Sequence, residues 1–331
     1  MRWLAVLLLL ASAAGLASPL FEDDEVLEIT LTGPLSTVIK DTEDRNEYSF
    51  KLTVAGSAID VDVRVRGLSR VRVCKFPPLR FDFSSRDTAD TVFSGQNKLK
   101  LVTHCKGAAD YEQNVLEEYA TYRIFNVLSN VSFRVRLARI RYVDTADPGG
   151  TDLVRHAFFI ESKEAMAERN AGTLINSRRV TKNYLDPTQT ALAYIFQYLI
   201  GNTDWSLVRA FDEDTCCHNG LLLGIEGRHF YVPYDFDLAG LVNARYAKPD
   251  PSLRIKRVTK RRYRGYCMPR EALRKALKAV LGHRDDILRV IEDLPHLSEK
   301  DIESGARYLE GFFEAAANED KLLGQFESRC L

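Results

Sequence analysis

The stretch Val61-Asp62-Val63-Arg64-Val65-Arg66 alternates strictly between apolar and charged residues. This period of two is typical of a β-strand that buries one face. The same alternation recurs in Leu79-Arg80-Phe81-Asp82-Phe83 and in Lys98-Leu99-Lys100-Leu101. We therefore predict that the segment from 25 to 102 is rich in strands.

Helical patterns dominate further along the chain. A helix is predicted over 111–128 and strands over 133–143 and 156–161, and a buried helix over 188–200 carries an apolar stripe. Further helices are expected over 270–281, 284–292 and 298–318. These patterns predict an α+β chain in two lobes, with a ligand in the cleft between them. The boundaries are a β-rich N-lobe with one key helix over 18–161 and a mainly helical C-lobe over 162–331.

Residues 1–17 read MRWLAVLLLLASAAGLA, with a basic start, an apolar run and small residues at the end. This pattern is typical of a secretory signal peptide, so we predict a periplasmic or secreted protein. No later stretch approaches the length of uncharged apolar sequence that a membrane span needs, so no span is expected in the mature chain.

The six cysteines all follow this segment. An even count in an exported chain favours disulfide bonds. Cys74 and Cys105 each end a candidate strand, and this is the pair that we expect. The pairing of the other four cysteines stays open at this point.

Composition excludes several classes of protein. The chain has 331 residues, of which 45% are hydrophobic and 28% are charged, as in folded globular proteins. Lys and Arg together number 46 and so do Asp and Glu, so no overall charge indicates a nucleic-acid binder. No G-x-S-x-G motif supports acyl transfer.

The residues that can carry chemistry are concentrated between 201 and 237. An apolar strand, Tyr231-Val232-Pro233-Tyr234, leads into Asp235 and Asp237, whose spacing places both carboxylates on one side. Their repulsion is tolerable only with a cation between them. Asp204 follows the end of the helix over 188–200, and Asn219 adds a neutral oxygen. Such oxygen-rich sets suit Mg²⁺ or Mn²⁺.

The order of these residues matches phosphoryl transfer. In that template a loop Asp accepts the proton of the acceptor hydroxyl, and a later Asn and Asp hold the metal. Asp204 would then be catalytic, and Asn219, Asp235 and Asp237 would bind metal. The alternative is that these acidic residues merely terminate a helix and form a turn.

The chain resembles the spore-coat kinase CotH family and, more distantly, HipA-type kinases. The resemblance lies in Val65-Arg66-Gly67-Leu68-Ser69, in Cys74-Lys75-Phe76-Pro77-Pro78-Leu79, and in the order of Asp204, Asn219 and Asp235. It implies a protein-kinase-like fold, ATP as the phosphoryl donor and Arg66 beside the nucleotide. The chain lacks a G-x-G-x-x-G loop and a V-A-I-K strand.

The same template pairs a strand Lys, which contacts nucleotide phosphates, with a helix Glu. Lys98 and Lys100 share a strand face, and Lys100 sits deeper in its strand. A solvated strand face is the alternative. Glu118 lies on the apolar face of its helix, unlike Glu117, and a buried carboxylate needs a cationic partner. We therefore predict that Lys100 pairs with Glu118.

A basic run lies between 254 and 264. A solvated loop explains such a run, and so does a docking surface for an acidic or phosphorylated substrate. Its cations are Arg254, Lys256, Arg257, Lys260, Arg261, Arg262 and Arg264.

Together the patterns predict an exported kinase that uses ATP and Mg²⁺ or Mn²⁺ to phosphorylate a hydroxyl of an exported protein or a small molecule. One alternative is a nucleotidyl transferase or phosphodiesterase that uses the same carboxylates. The other is an inactive kinase-like module that binds a partner, since ATP is scarce outside the cytoplasm.

Overall fold

The computed structural model of the chain describes residues 19–84, 86–207 and 216–331. The predicted signal peptide over 1–17 lies outside these residues. The strands of the first half are β1 (Leu27–Gly33), β2 (Tyr48–Val54), β3 (Ser57–Val65), β4 (Leu79–Asp82), β5 (Lys98–Val102), β6 (Val135–Asp144) and β7 (Leu153–Ile160). Its helices are α1 (Leu35–Lys40), α2 (Arg70–Val73) and α3 (Ala109–Leu128).

Within the described residues these seven strands close into a barrel in the order β1-β2-β3-β4-β5-β7-β6. Neighbouring strands are antiparallel except β1 and β6, which run parallel and complete the closure. Alternate side chains fill the interior, among them Val61, Val63, Phe81 and Phe159, which are fully buried. Helix α3 packs along the outside of the barrel against β6 and β7.

The second half surrounds a buried helix. Helix α5 contacts α6 and β10, and nearly all of its residues are buried. The strands β8, β9 and β10 form a small antiparallel sheet. The elements of this half are α4 (Lys163–Arg169), β8 (Thr173–Leu174), α5 (Pro187–Leu199), β9 (Gly220–Ile225), β10 (Arg228–Pro233), α6 (Arg270–Gly282), α7 (Arg284–Glu292), α8 (Glu299–Ala316) and α9 (Glu319–Glu327).

The prediction of a two-lobed, protein-kinase-like α+β fold is wrong. A closed barrel takes the place of the expected β-rich N-lobe, because β7 inserts between β5 and β6 and β1 pairs with β6. Closing a sheet removes both of its edges. The alternation of residues predicts where strands lie but does not say which strands become neighbours.

Most individual elements were predicted within a few residues. Helices α3 and α5 confirm the predictions over 111–128 and 188–200. Helix α8 confirms the prediction over 298–318 within two residues, whereas the separate helix α9 that follows it was not predicted. Asn318 caps α9 through a side-chain bond from the Lys321 amide, and so divides the two helices.

The cysteines form three disulfide bonds, Cys74–Cys105, Cys216–Cys217 and Cys267–Cys330. The predicted Cys74–Cys105 pair is confirmed, and it ties the segment after α2 to the segment after β5. Among the described helices none has the length and apolar composition needed to cross a membrane.

Candidate functional site

A cavity of about 60 Å³ that opens to solvent lies where the barrel meets α3 and the end of β10. Its charged lining comes from Arg66, Arg70, Lys100, Glu118 and Asp235. Its apolar lining includes Leu68, Pro78, Val102, Phe133 and Ile160. A cavity lined in this way can accept a ligand that has both an anionic and an apolar part.

Asp204 and Asn219 lie together beyond the end of α5. The Asn219 amide nitrogen Nδ2 donates to Asp204 Oδ2 at 2.9 Å and to the Asp204 main-chain oxygen at 2.7 Å. His218 Nε2 lies 3.0 Å from Asp204 Oδ1. These bonds fix the carboxylate of Asp204 and use the amide nitrogen of Asn219, so the amide oxygen of Asn219 remains an acceptor.

The β9–β10 hairpin brings Asn219 next to Asp235. Gly220 pairs with Pro233, and the Tyr234 amide donates to the main-chain oxygen of Asn219 at 3.1 Å. Asn219 and Asp235 both adopt positive φ, 51° and 64°, as Asn and Asp do more readily than other residues with a Cβ. Asp204, which is bonded to Asn219, therefore lies with Asn219 and Asp235 around one end of this hairpin, three of the four predicted oxygen donors.

Helix α3 fixes Asp235 from the opposite side. The Asp235 amide donates to the Tyr122 hydroxyl at 2.9 Å. Tyr122 stands one turn beyond Glu118 on the same face of α3, and both side chains line the cavity.

Asp237 does not point into the cavity with Asp235. Arg70 donates from Nε to Asp237 Oδ2 at 2.9 Å, and the Tyr246 hydroxyl donates to the same oxygen at 3.1 Å. Arg70 also bonds Glu118. The expected pair of Glu118 with Lys100 is therefore wrong, and the expected metal ligand Asp237 is instead bound by an arginine.

Lys100 and Arg66 both line the cavity. Lys100 Nζ stands 5.3 Å from the centre of the Tyr234 ring. Burial lowers the pKa of Lys100 to about 8, Arg66 lowers it as well, and Asp235 opposes the shift. An anionic ligand bound here would relieve the repulsion between these two cations.

Burial is the main influence on the pKa values of the two carboxylates that line the cavity. Burial, followed by the charges of Asp237 and Asp204, raises the pKa of Asp235 to about 6 against the opposing charges of Arg70 and Arg66. Burial also raises the pKa of Glu118 to about 8, although Arg70 opposes the shift. Such shifts indicate a site that gains stability from an added cation.

Carboxylates of the described residues supply only part of the oxygen ligands that a cation would need at this site. No group of three or more His, Cys, Asp or Glu side chains within the described ranges could hold a metal ion. The available donors at the hairpin are the carboxylate of Asp235 and the amide oxygen of Asn219. Mg²⁺ needs few protein ligands when phosphate oxygens and water complete its shell, so this set is sufficient for a metal bound together with a nucleotide.

Sequence reasoning missed Arg70, and it assigned His218 either to a loop or to a group that supports the site residues from behind. Arg70 is 48 residues from Glu118 and 167 from Asp237, so no local pattern connects them. His218 precedes Asn219, and a polar residue beside a predicted ligand was the available signal for its contact with Asp204.

The chain matches no family model and no curated protein. The resemblance to spore-coat kinases therefore stays a prediction.

Proposed function

We propose that this protein is an exported, metal-dependent phosphotransferase that moves the γ-phosphoryl group of ATP to a hydroxyl of a protein or small-molecule acceptor. The observation that carries the proposal is that Arg66, Lys100 and Asp235 line one cavity. The Asp204–Asn219 pair adjoins it, because the main-chain oxygen of Asn219 accepts the bond from the Tyr234 amide, next to Asp235. Support for phosphoryl transfer comes from this site alone, because the fold differs from the one that the resemblance implies.

In this proposal Lys100 and Arg66 bind the phosphates of the nucleotide, and Asn219 and Asp235 hold Mg²⁺ or Mn²⁺. The metal, when bound, would neutralise charge on the transferred phosphoryl group. Asp204 accepts the proton of the acceptor hydroxyl, and His218 and Asn219 hold its carboxylate in place for that transfer.

Export is part of the proposal. The predicted signal peptide over 1–17 supports it, and so do the three disulfide bonds, which persist in oxidising compartments. The acceptor would then be another exported molecule, and the basic run between 254 and 264 favours an acidic one.

The experiment compares the wild type with Asp204→Asn, using γ-labelled ATP, Mn²⁺ and a mixture of exported proteins as acceptors. We expect the substitution to lower transfer by about 100-fold or more, since general-base catalysis contributes that much. Nucleotide binding, measured by thermal shift with Mg²⁺ and ATP, should be unchanged. Glu314→Gln is the matched control, because it removes an exposed carboxylate of α8 in the second half and should keep full activity.

Stabilisation by ATP with no labelled product from the wild type would contradict phosphoryl transfer and favour a binding module. A product carrying the nucleotide itself would assign the site to nucleotidyl transfer.

A further inference from the structure

The basic run between 254 and 264 separates into two groups of side chains. Three of its side chains donate to main-chain oxygens. Arg261 donates to the oxygens of Leu199 and Tyr308. Arg262 donates to the oxygen of Leu253, and Arg264 donates to the oxygen of Thr203. The others are exposed and have no side-chain partner among the described residues: Arg254, Lys256, Arg257 and Lys260. A loop that is merely solvated explains the exposed group but not the position of Arg264.

Arg264 lies beside the proposed catalytic carboxylate. Its Nη1 donates to the oxygen of Thr203, the buried residue that immediately precedes Asp204. Burial lowers the pKa of Arg264, whereas the negative charges of Asp204 and Asp250 oppose that shift. The ion pair of Asp204 is nevertheless made with His218, so Arg264 is close to Asp204 without being neutralised by direct contact.

A guanidinium has five N–H donors in a planar fork, and the bond to Thr203 uses only one of the five. The remaining donors suit a carboxylate, which arginine binds in a bidentate manner. We propose that Arg264 is a specificity-determining residue that binds a carboxylate of an acidic polypeptide, next to the hydroxyl that Asp204 activates. This role rests on the proposed function.

The exposed cations strengthen this assignment to a polypeptide. Arg254, Lys256, Arg257 and Lys260 precede Arg264 in the same loop and would attract further acidic residues of an extended acceptor. A small acidic molecule would reach Arg264 but would gain nothing from the exposed group.

The experiment uses two synthetic peptides that share a central serine, one flanked by glutamate and the other by glutamine. Transfer from labelled ATP is measured for the wild type, Arg264→Gln and Arg262→Gln. The control residue Arg262 lies two positions before Arg264 in the same loop, and its side chain also donates to a main-chain oxygen, that of Leu253. Thermal unfolding and ATP binding report whether each variant is folded.

We expect the wild type to prefer the glutamate peptide, and Arg264→Gln to reduce that preference about tenfold through KM, as loss of a charged hydrogen bond would. Arg262→Gln should retain the preference. Arg264→Lys, which keeps the charge but not the fork, should lie between the two and serves as the test if Arg264→Gln does not fold.

Equal preference in the wild type and Arg264→Gln would overturn the assignment while leaving phosphoryl transfer intact. An equal loss on both peptides would also overturn it, because Arg264 would then act on the transferred group. Absence of transfer to either peptide by the wild type would instead count against the proposed function.

Discussion

Arg70 is held between two carboxylates that come from distant parts of the chain. It is the buried cation shared by Glu118 of α3 and Asp237 beyond β10. Burial alone would lower its pKa, but Glu118, Tyr246 and Asp237 outweigh that effect and raise the pKa of Arg70 well above its usual value. It stays charged and connects the barrel side of the cavity to the hairpin side.

Replacing Arg70 by Met should lower the free energy of unfolding by about 3–5 kcal/mol, because it leaves buried carboxylates without their cation. Urea unfolding followed by circular dichroism measures the change. Arg72→Met is the matched control on the same short helix, where the side chain is exposed, and it should change stability by less than about 0.5 kcal/mol. A similar small effect at Arg70 would contradict a structural role for the ion pair.

At the scale of elements, α3 carries two acidic residues, Glu117 and Glu112, whose pKa values shift in opposite directions. Burial raises the pKa of Glu117 to about 8, with the Asn114 amide and Lys300 opposing the shift and Asp301 adding to it. The bonds from His156 outweigh burial and lower the pKa of Glu112. The native state therefore holds a proton on Glu117 that the unfolded chain releases above its ordinary pKa of 4.5.

Ionisation of Glu117 should lower the free energy of unfolding as the pH rises from about 5 to 8. Glu117→Gln should remove this loss and stabilise the protein at pH 8 by roughly 3 kcal/mol relative to the wild type, with little difference at pH 5. Glu112→Gln should act in the opposite sense and destabilise at neutral pH, with an effect that fades as the pH falls through the native pKa of Glu112. Unfolding curves at several pH values measure both, and parallel profiles for the two variants would refute the assignment.

The sequence predicts these elements well because their signals are local. The alternation around Lys100 defines β5, and the apolar face of Glu118 and Tyr122 defines the inward side of α3. Asp204, Asn219 and Asp235 could be selected as a group because their order along the chain carries information. The partner of Glu118 could not be predicted. A buried carboxylate needs a nearby cation, but the sequence does not show which of several Lys and Arg side chains lies beside it.

On the scale of the whole molecule, barrel closure depends on β1, which pairs with β2 on one side and β6 on the other. Strand order is a property of long-range packing, and this is why the kinase-like fold was wrong although most strands were predicted. Thr30 lies in the middle of β1 and pairs with both Thr53 and Arg141.

Thr30→Pro should destabilise the fold by about 3 kcal/mol or more, because proline cannot donate a hydrogen bond within a ladder of strands. Thr30→Val keeps the donor and suits a strand, so it should change stability little. Thermal unfolding of both variants tests the role of β1. Equal stability of the two variants would mean that this strand contributes little to closure.

The parallel pairing of β1 with β6 also has a kinetic consequence. Leu27 leaves the ribosome long before its partner Ala138. The backbone groups of β1 that later bond β6 therefore stay unpaired while the rest of the sheet is synthesised. Contacts between such distant positions form slowly, and an unpaired strand edge can pair with other chains and promote aggregation. Cells that make this protein would therefore gain yield from a chaperone that shields the early strands until the last one arrives.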